Sequence, residues 1–168
     1  MKKYILASAS PRRKELLEQI GIEFDIVVSN ADESKVGKDM PSMLYVEELA
    51  MLKAAATADY LRKNKHGEFI IISADTVVTL DGKILGKPKD EEDAFNVLRM
   101  LSGKKHEVFT GICVMRSKDG FSVADYEKTT VYFNVLTDEK IRSYIKTGEP
   151  MDKAGAYGIQ GHGAVLVD

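Results

Sequence analysis

The chain has 168 residues, 44% of them hydrophobic and 30% charged, with a formal net charge of −2. This is ordinary globular composition, with enough length for one domain and a real core. Near-neutral charge argues against a general nucleic-acid or membrane-surface binder, because those partners require a cationic face.

The single Cys113 excludes an internal disulfide framework and a cysteine-based zinc site. It lies in an apolar, strand-like run and reads as a buried, inert thiol. Met1-Lys2-Lys3 leads into only four apolar residues before Ser8, too short for a signal peptide. No apolar run reaches the length of a membrane span, so a soluble cytoplasmic protein is expected.

Tyr4 to Ala7 reads as a short buried strand. Ser10 is then placed as N-cap and Pro11 as the first residue of a helix over Lys14 to Ile20, stopped by Gly21. Arg12 and Arg13 sit in its first turn, where each cation costs roughly 0.3–1 kcal/mol against the helix dipole. An anion at that helix start, phosphate being the usual one, would account for both arginines. Phe24 to Val28 is a second strand, followed by a polar, acidic loop from Asn30 to Pro41 containing Asp32 and Glu33.

Ser42 to about Lys63 reads as a long helix. At about 100° per residue, Val46, Leu49, Ala50, Thr57 and Tyr60 share one face, with Lys53 in its middle. A lysine among core residues either snorkels to the rim or meets an anion in a cleft. After the polar stretch Lys63-Asn64-Lys65-His66-Gly67, three consecutive isoleucines, Ile70 to Ile72, indicate a strand buried on both faces. That strand is expected to end at Ala74. Asp75 would then lie at the carboxyl edge of a sheet, where open α/β folds bind ligands. Taken alone, Asp75 reads equally as the start of a turn.

Val77 to Leu80 and Lys83 to Leu85 flank Asp81-Gly82, a type I′ hairpin signal, and Gly86-Lys87-Pro88 leaves Lys87 at the hairpin's foot. Asp90 is the cap of a helix carrying Ala94, Val97, Leu98 and Leu101, ended by Gly103. His106 to Arg116 and Phe121 to Val135 read as paired strands around Lys118-Asp119-Gly120. Thr110-Gly111 marks a bulge or a close backbone approach. Thr137 caps a short helix through Ile145, ended by Gly148. Between Gly148 and Gly163, five of sixteen residues are glycine, yet Asp152, Lys153, Tyr157 and Gln160 are there too. Such a mixture suits a binding loop whose backbone approaches a ligand. Ala164 to Val167 reads as a final short strand.

The unusual positions are of two kinds. Arg12, Arg13, Lys53, Lys87 and Lys153 are cationic; Glu33 and Asp75, with Asp90 or Asp152, are acidic. A polyphosphate bridged by a divalent cation needs both, carboxylates for the metal and arginine or lysine for phosphate oxygens. No Gly-x-Ser-x-Gly elbow exists, and His66, His106 and His162 lack evident triad partners. The phosphate-binding Gly-x-x-x-x-Gly-Lys-Ser/Thr loop and His-Glu-x-x-His are missing as well. Physical reasoning alone reaches a metal-assisted phosphate-ester enzyme with a mixed α/β fold.

Four separated motifs then carry a resemblance. They are Ser8-Ala9-Ser10-Pro11-Arg12-Arg13, Ser73-Ala74-Asp75-Thr76, Gly86-Lys87-Pro88, and the run from Gly148 to Gly161 containing Lys153-Ala154-Gly155-Ala156-Tyr157-Gly158-Ile159-Gln160. In this order they resemble the Maf family of nucleoside triphosphate pyrophosphatases, also described as septum-formation inhibitors, in its dTTP/UTP branch. The resemblance implies a long mixed sheet flanked by helices with a cleft between two lobes, like the inosine triphosphate pyrophosphatases. It implies α–β phosphate cleavage of dTTP, UTP or modified pyrimidine nucleotides with Mg²⁺ or Mn²⁺, a house-cleaning role, and a link to arrest of cell division.

By the same resemblance Asp75 is the proton acceptor and Glu33 an acidic residue of the catalytic centre, the two being candidates to hold the metal. Ser8, Arg13, Lys53, Lys87, Asp152 and Lys153 fall to substrate binding, and Arg12, Thr76 and Gln160 to base preference. The expected partner is the nucleotide, with no nucleic acid or membrane, and a homodimer is among the expected states. Relatives in that family continue with a further strand and helix, so a single Maf-like domain over 1–168 lacking those elements is expected.

Two rival readings stand beside it. A haloacid-dehalogenase-like phosphotransferase would use Asp75 as nucleophile, but its pattern places a second Asp where this chain has Val77. A non-catalytic nucleotide-binding regulator of septum formation is the other.

Overall fold

The computed structural model describes residues 3–65 and 67–168. Met1 and Lys2 of the expected leader-free start, and His66 of the polar stretch, lie outside the described residues. The strands are β1 (Lys3–Leu6), β2 (Phe24–Ile26), β3 (Phe69–Leu80), β4 (Lys83–Leu85), β5 (Lys105–Arg116) and β6 (Ser122–Tyr132). The helices are α1 (Pro11–Gln19), α2 (Ser42–Asn64), α3 (Glu91–Leu101) and α4 (Asp138–Ile145), with short 3-10 turns at Glu33–Lys35, Glu149–Asp152, Ala154–Ala156 and His162–Leu166. Hydrogen-bonded strands run in the order β2-β1-β3-β5-β6, and β4 pairs with β3. β1 is parallel to both β2 and β3, whereas β4 is antiparallel to β3. This is the mixed α/β sheet expected. No helix among the described residues is long and apolar enough to cross a membrane.

Two compact units divide the chain: Met1–Asp75 with Thr110–Glu127, and Thr76–Phe109 with Lys128–Asp168. The core of the first contains Ile5, Ala50, Ala54, Ala58, Leu61, Phe69, Ile71 and Cys113. Alanines at 50, 54 and 58 recur every fourth residue, so one face of α2 carries side chains no longer than a methyl group. That face can approach its neighbours closely. A Cβ on Gly111 would collide with the backbone carbonyl of Val46, and the Ser73 hydroxyl donates to the Ala50 carbonyl at 2.6 Å. Thr110-Gly111 is therefore a close backbone approach inside a continuous β5. Burial pushes the Cys113 thiol pKa up, with a hydrogen bond to Ser73 acting in the opposite sense.

The second unit packs Val78, Leu80, Leu98, Leu101, Phe133, Leu136 and Ile141. Its turns follow the sequence closely. Asp81 and Gly82 have φ of 50° and 76°, the paired positive angles of a type I′ hairpin. Asp90 accepts from the Asp93 N–H at 2.8 Å and Thr137 from the Lys140 N–H at 3.3 Å, so both are true caps.

Four expectations need correction. β3 does not end at Ala74 but runs unbroken to Leu80. Ser10 occupies the N-cap position of α1 but makes no side-chain cap bond; its own N–H donates to the Ser8 hydroxyl at 3.2 Å. Tyr60 is 48% exposed, and the buried stripe of α2 instead continues through Ala54, Ala58 and Leu61. Residues 164–167 form no strand: His162–Leu166 is a 3-10 turn, leaving one antiparallel bridge between Phe133 and Val167.

Because Gly111 faces backbone, which cannot rotate away, Gly111→Ala is expected to lower the unfolding free energy by about 2 kcal/mol. Urea denaturation checks this; a loss below about 0.5 kcal/mol would place the helix farther from β5 than described.

Candidate active site

β1 stops pairing with β3 at Leu6, opposite Ile72. Ala7 adds one more bond, its N–H donating to the Ile72 carbonyl at 2.8 Å. Asp75 comes three residues after Ile72, beyond the last residue of β1. The carboxyl edge expected of Asp75 therefore exists, but it is the edge of the parallel pair and not the end of a strand.

Lys53 projects from α2 and forms an ion pair with Asp75, each side chain only 14% exposed. The same ammonium lies 3.0 Å from Glu33 Oε1, and Glu33 is more than half exposed. The lysine placed by periodicity among core residues thus meets anions, two carboxylates of its own chain, and does not snorkel. The Glu33 contact is a partly solvated pair of modest worth. Its interest is chemical: two carboxylates converge on one positive charge.

Arg13 closes the other side. Its Nη1 donates to the Ala74 carbonyl at 2.7 Å and to the Ser8 hydroxyl at 3.2 Å. Burial lowers the guanidinium pKa, against which Asp75 and Glu33 both pull upward. Arginine remains charged throughout the ordinary pH range. Arg12 points elsewhere and pairs with Glu15 at 3.2 Å. Tyr45, unremarked in the sequence, is buried on α2; burial raises its phenol pKa, and Asp75 and Glu33 raise it further.

The second unit carries the remaining candidates. Lys87 is exposed and has no ion-pair partner among the described residues. Its loop is pinned by the Gly155 N–H, which donates to the Gly86 carbonyl at 3.0 Å. Gly155 has φ of 68° and its Cβ would come 2.8 Å from Val78, so only glycine fits there. Ala156 follows with φ of 59°, a left-handed conformation in a buried non-glycine residue. Backbone strain of this kind costs on the order of 1–3 kcal/mol and clusters at ligand sites. Asp152 and Lys153 pair with one another at 2.5 Å. Gln160 is exposed, and Thr76, the first residue of this unit, is half-buried in β3.

A family model described as Maf-like protein matches residues 3–168. This chain belongs to the Maf-like family. A dTTP/UTP pyrophosphatase of Alkaliphilus metalliredigens is 52% identical over 168 residues, covering the whole of this chain and 84% of the relative. One of Clostridium botulinum is 49% identical over 166 residues, covering 99% of this chain and 86% of the relative. Among solved structures, a HAM1 protein from Coxiella burnetii superposes with a TM-score of 0.53 at 16% identity, over 99% of this chain and 92% of that one. That likeness is one of fold alone.

In this Maf-like chain, Ser8, Arg13, Glu33, Lys53 and Asp75 come together within the first unit. Lys87 and Lys153 belong to loops joined through Gly86 and Gly155 in the second. Asp90 is spent as a helix cap. Sequence reasoning missed His106, which was considered only as a triad member. It is buried, and its Nε2 lies 2.7 Å from the hydroxyl of Tyr157, within the glycine-rich run. Phe133 meets both rings edge-on, at 4.9 and 4.7 Å. No local pattern marked His106: the buried alternation of β5 runs through Phe109, Gly111, Cys113 and Met115, and His106 lies outside that phase.

Burial lowers the His106 pKa below the ordinary 6.5, so the native imidazole stays neutral where the unfolded one protonates. Its contribution to stability is full above 6.5 and is lost as pH falls from there towards the depressed native value. The melting temperature of the wild type is expected to fall more steeply below pH 6.5 than that of His106→Leu. Thermal denaturation across pH 5–8 checks it.

Proposed function

We propose that this chain hydrolyses dTTP and UTP between the α and β phosphates, releasing the nucleoside monophosphate and pyrophosphate. What carries the reading is the convergence of Glu33 and Asp75 on Lys53, with Arg13 alongside. Relatives named dTTP/UTP pyrophosphatases, about half identical over nearly the whole chain, support the substrate. Buried Val77, where the dehalogenase pattern needs a second carboxylate, disfavours an aspartyl-phosphate route.

In this mechanism Lys53 exchanges its bond to Asp75 for a phosphate oxygen when the nucleotide binds. Asp75 is then free to accept a proton from water. The water oxygen bonds to the α phosphorus, the bond from that phosphorus to the bridging oxygen breaks, and pyrophosphate leaves with the bridging oxygen. Arg13, held by Ala74 and Ser8, is assigned with Lys87, Lys153 and Asp152 to substrate binding, a guanidinium being suited to phosphate oxygens. Arg12, Thr76 and Gln160 are assigned to base preference.

The donor set suits a divalent cation. Two carboxylates directed at one cationic point are what Mg²⁺ or Mn²⁺ uses when substrate oxygens and water complete its shell. No group of three or more His, Cys, Asp or Glu that could cage a metal exists among the described residues, so binding would depend on the substrate's own oxygens. Glu33 and Asp75 are the residues that would hold the ion, which would supply charge neutralisation at the phosphates. A nucleotide substrate assigns the work to the cytoplasm, where such substrates are consumed, and a single Maf-like domain over 1–168 remains our reading of the organisation.

Phosphate chromatography of dTTP and UTP reactions with Mg²⁺ or Mn²⁺ tests the assignment. Pyrophosphate release is expected, and Asp75→Asn should lower kcat by at least about 100-fold. Release of orthophosphate alone, or equal turnover by the variant, would overturn it.

A further inference from the structure

Glu149 carries more hydrogen bonds than a surface carboxylate needs. Its Oε1 accepts from the Tyr144 hydroxyl at 2.9 Å and from the Gly163 N–H at 3.2 Å. Its Oε2 accepts from the His162 N–H at 2.7 Å. The Tyr144 oxygen in turn accepts from the Gly158 N–H at 3.3 Å. Glu149 and Tyr144 therefore grip the stretch 158–163 at both ends, and Gln160 stands exposed between the two grips. Two successive backbone N–H groups on one carboxylate form an anion-binding nest, here filled by the chain itself.

The glycines agree with this grip. A Cβ on Gly161 would enter the space of the Glu149 carboxylate, and one on Gly163 would meet the Gly158 carbonyl and the Tyr144 hydroxyl, the latter at 2.8 Å. On Gly158 a Cβ would come 3.3 Å from the Lys153 side chain, so the same loop also packs against that lysine. Neither Gly161 nor Gly163 has a φ between +20° and +160°, so close approach to the clamp, and not backbone angle, is what selects glycine at both. The carboxylate is ionised at neutral pH: burial raises its pKa, but the bonds from His162, Tyr144 and Gly163 outweigh burial and hold it low. Burial and the Glu149 contact push the Tyr144 phenol well above its usual range, so it stays a donor.

We propose that Glu149, backed by Tyr144, is a positioning residue that holds the 158–163 loop so that Gln160 can select the nucleotide base. This rests on the reading of Gln160 as a base-selecting residue. An amide at 149 has one acceptor oxygen and turns two donors towards the backbone N–H groups it should bind. Loosening the loop should therefore cost binding and discrimination and leave the water-activating groups of the first unit in place.

Steady-state kinetics on dTTP and dCTP, with Glu149→Gln, Tyr144→Phe and Gly161→Ala in the full chain, are the test. Glu149→Gln is expected to raise KM for dTTP about tenfold, change kcat less than about threefold, and cut the preference for dTTP over dCTP about tenfold. Gly161→Ala should reproduce this, and the double variant should be no worse than either single one, because both remove the same contact. Tyr144→Phe should shift KM the same way by a smaller factor. A lowered melting temperature with KM and base preference within about twofold of wild type would make Glu149 merely structural and overturn the proposal. A fall in kcat with KM and preference unchanged would overturn it too.

Amide hydrogen exchange at His162 and Gly163 separates this from failure of the functional reading. If the wild type turns over neither dTTP nor UTP, that reading fails by itself. Lost protection at both amides in Glu149→Gln then still supports the clamp, and retained protection refutes it.

Discussion

A lysine charge inside the face of a core helix is the constraint on which the first unit depends. α2 packs through Ala50, Ala54 and Ala58 while Lys53 rises among them, and a cation so placed requires an anionic partner. Asp75 supplies it from β3 and Glu33 adds a second, more solvated one. Each of these carboxylates would repel the other without the ammonium between them. The arrangement is therefore a single electrostatic unit, two carboxylates held on one ammonium.

Geometry for that unit comes from small residues. Gly111 and Ser73 set the approach of α2 to the strands, so the position of Lys53 is decided by a missing Cβ and one hydroxyl. The second unit uses backbone in the same way. Gly155 ties the Lys87 loop to the glycine-rich run, Ala156 holds a left-handed conformation, and His106 meets Tyr157 through a bond made inside an aromatic cluster. These polar contacts are few and buried, which makes them specific. A partner left unmatched there would cost about 1–3 kcal/mol.

Much of the fold was legible in advance where a local rule governed. The Asp81-Gly82 turn, the Asp90 and Thr137 caps and the length of α2 all depend on residues within a few positions of one another. The candidate site was legible as a set of charges, and family motifs gave those charges roles. What failed were three inferences about what a particular residue caps, faces or pairs with, while the buried face of α2 through Val46, Leu49 and Ala50, the burial of Cys113 and the close approach at Gly111 held. Ser10 looked like a capping side chain, yet its helix start is organised by Ser8 and Arg13. Tyr60 lies on the extrapolated stripe of α2 but outside the reach of the core, and residues 164–167 had strand composition without a strand to pair with beyond one bridge.

By itself, the sequence determined most element types, the turn chemistry and the inventory of cations and carboxylates, because these follow from backbone propensity and side-chain identity. Tertiary structure alone decided that Asp75 sits within a strand whose parallel neighbour has run out, and that Lys53 answers both Asp75 and Glu33. It also decided that Glu149 closes on amides thirteen and fourteen residues further along the chain. The reason is physical: strand register, helix approach and the partner of a charge are set by packing between distant segments, and no local pattern encodes them.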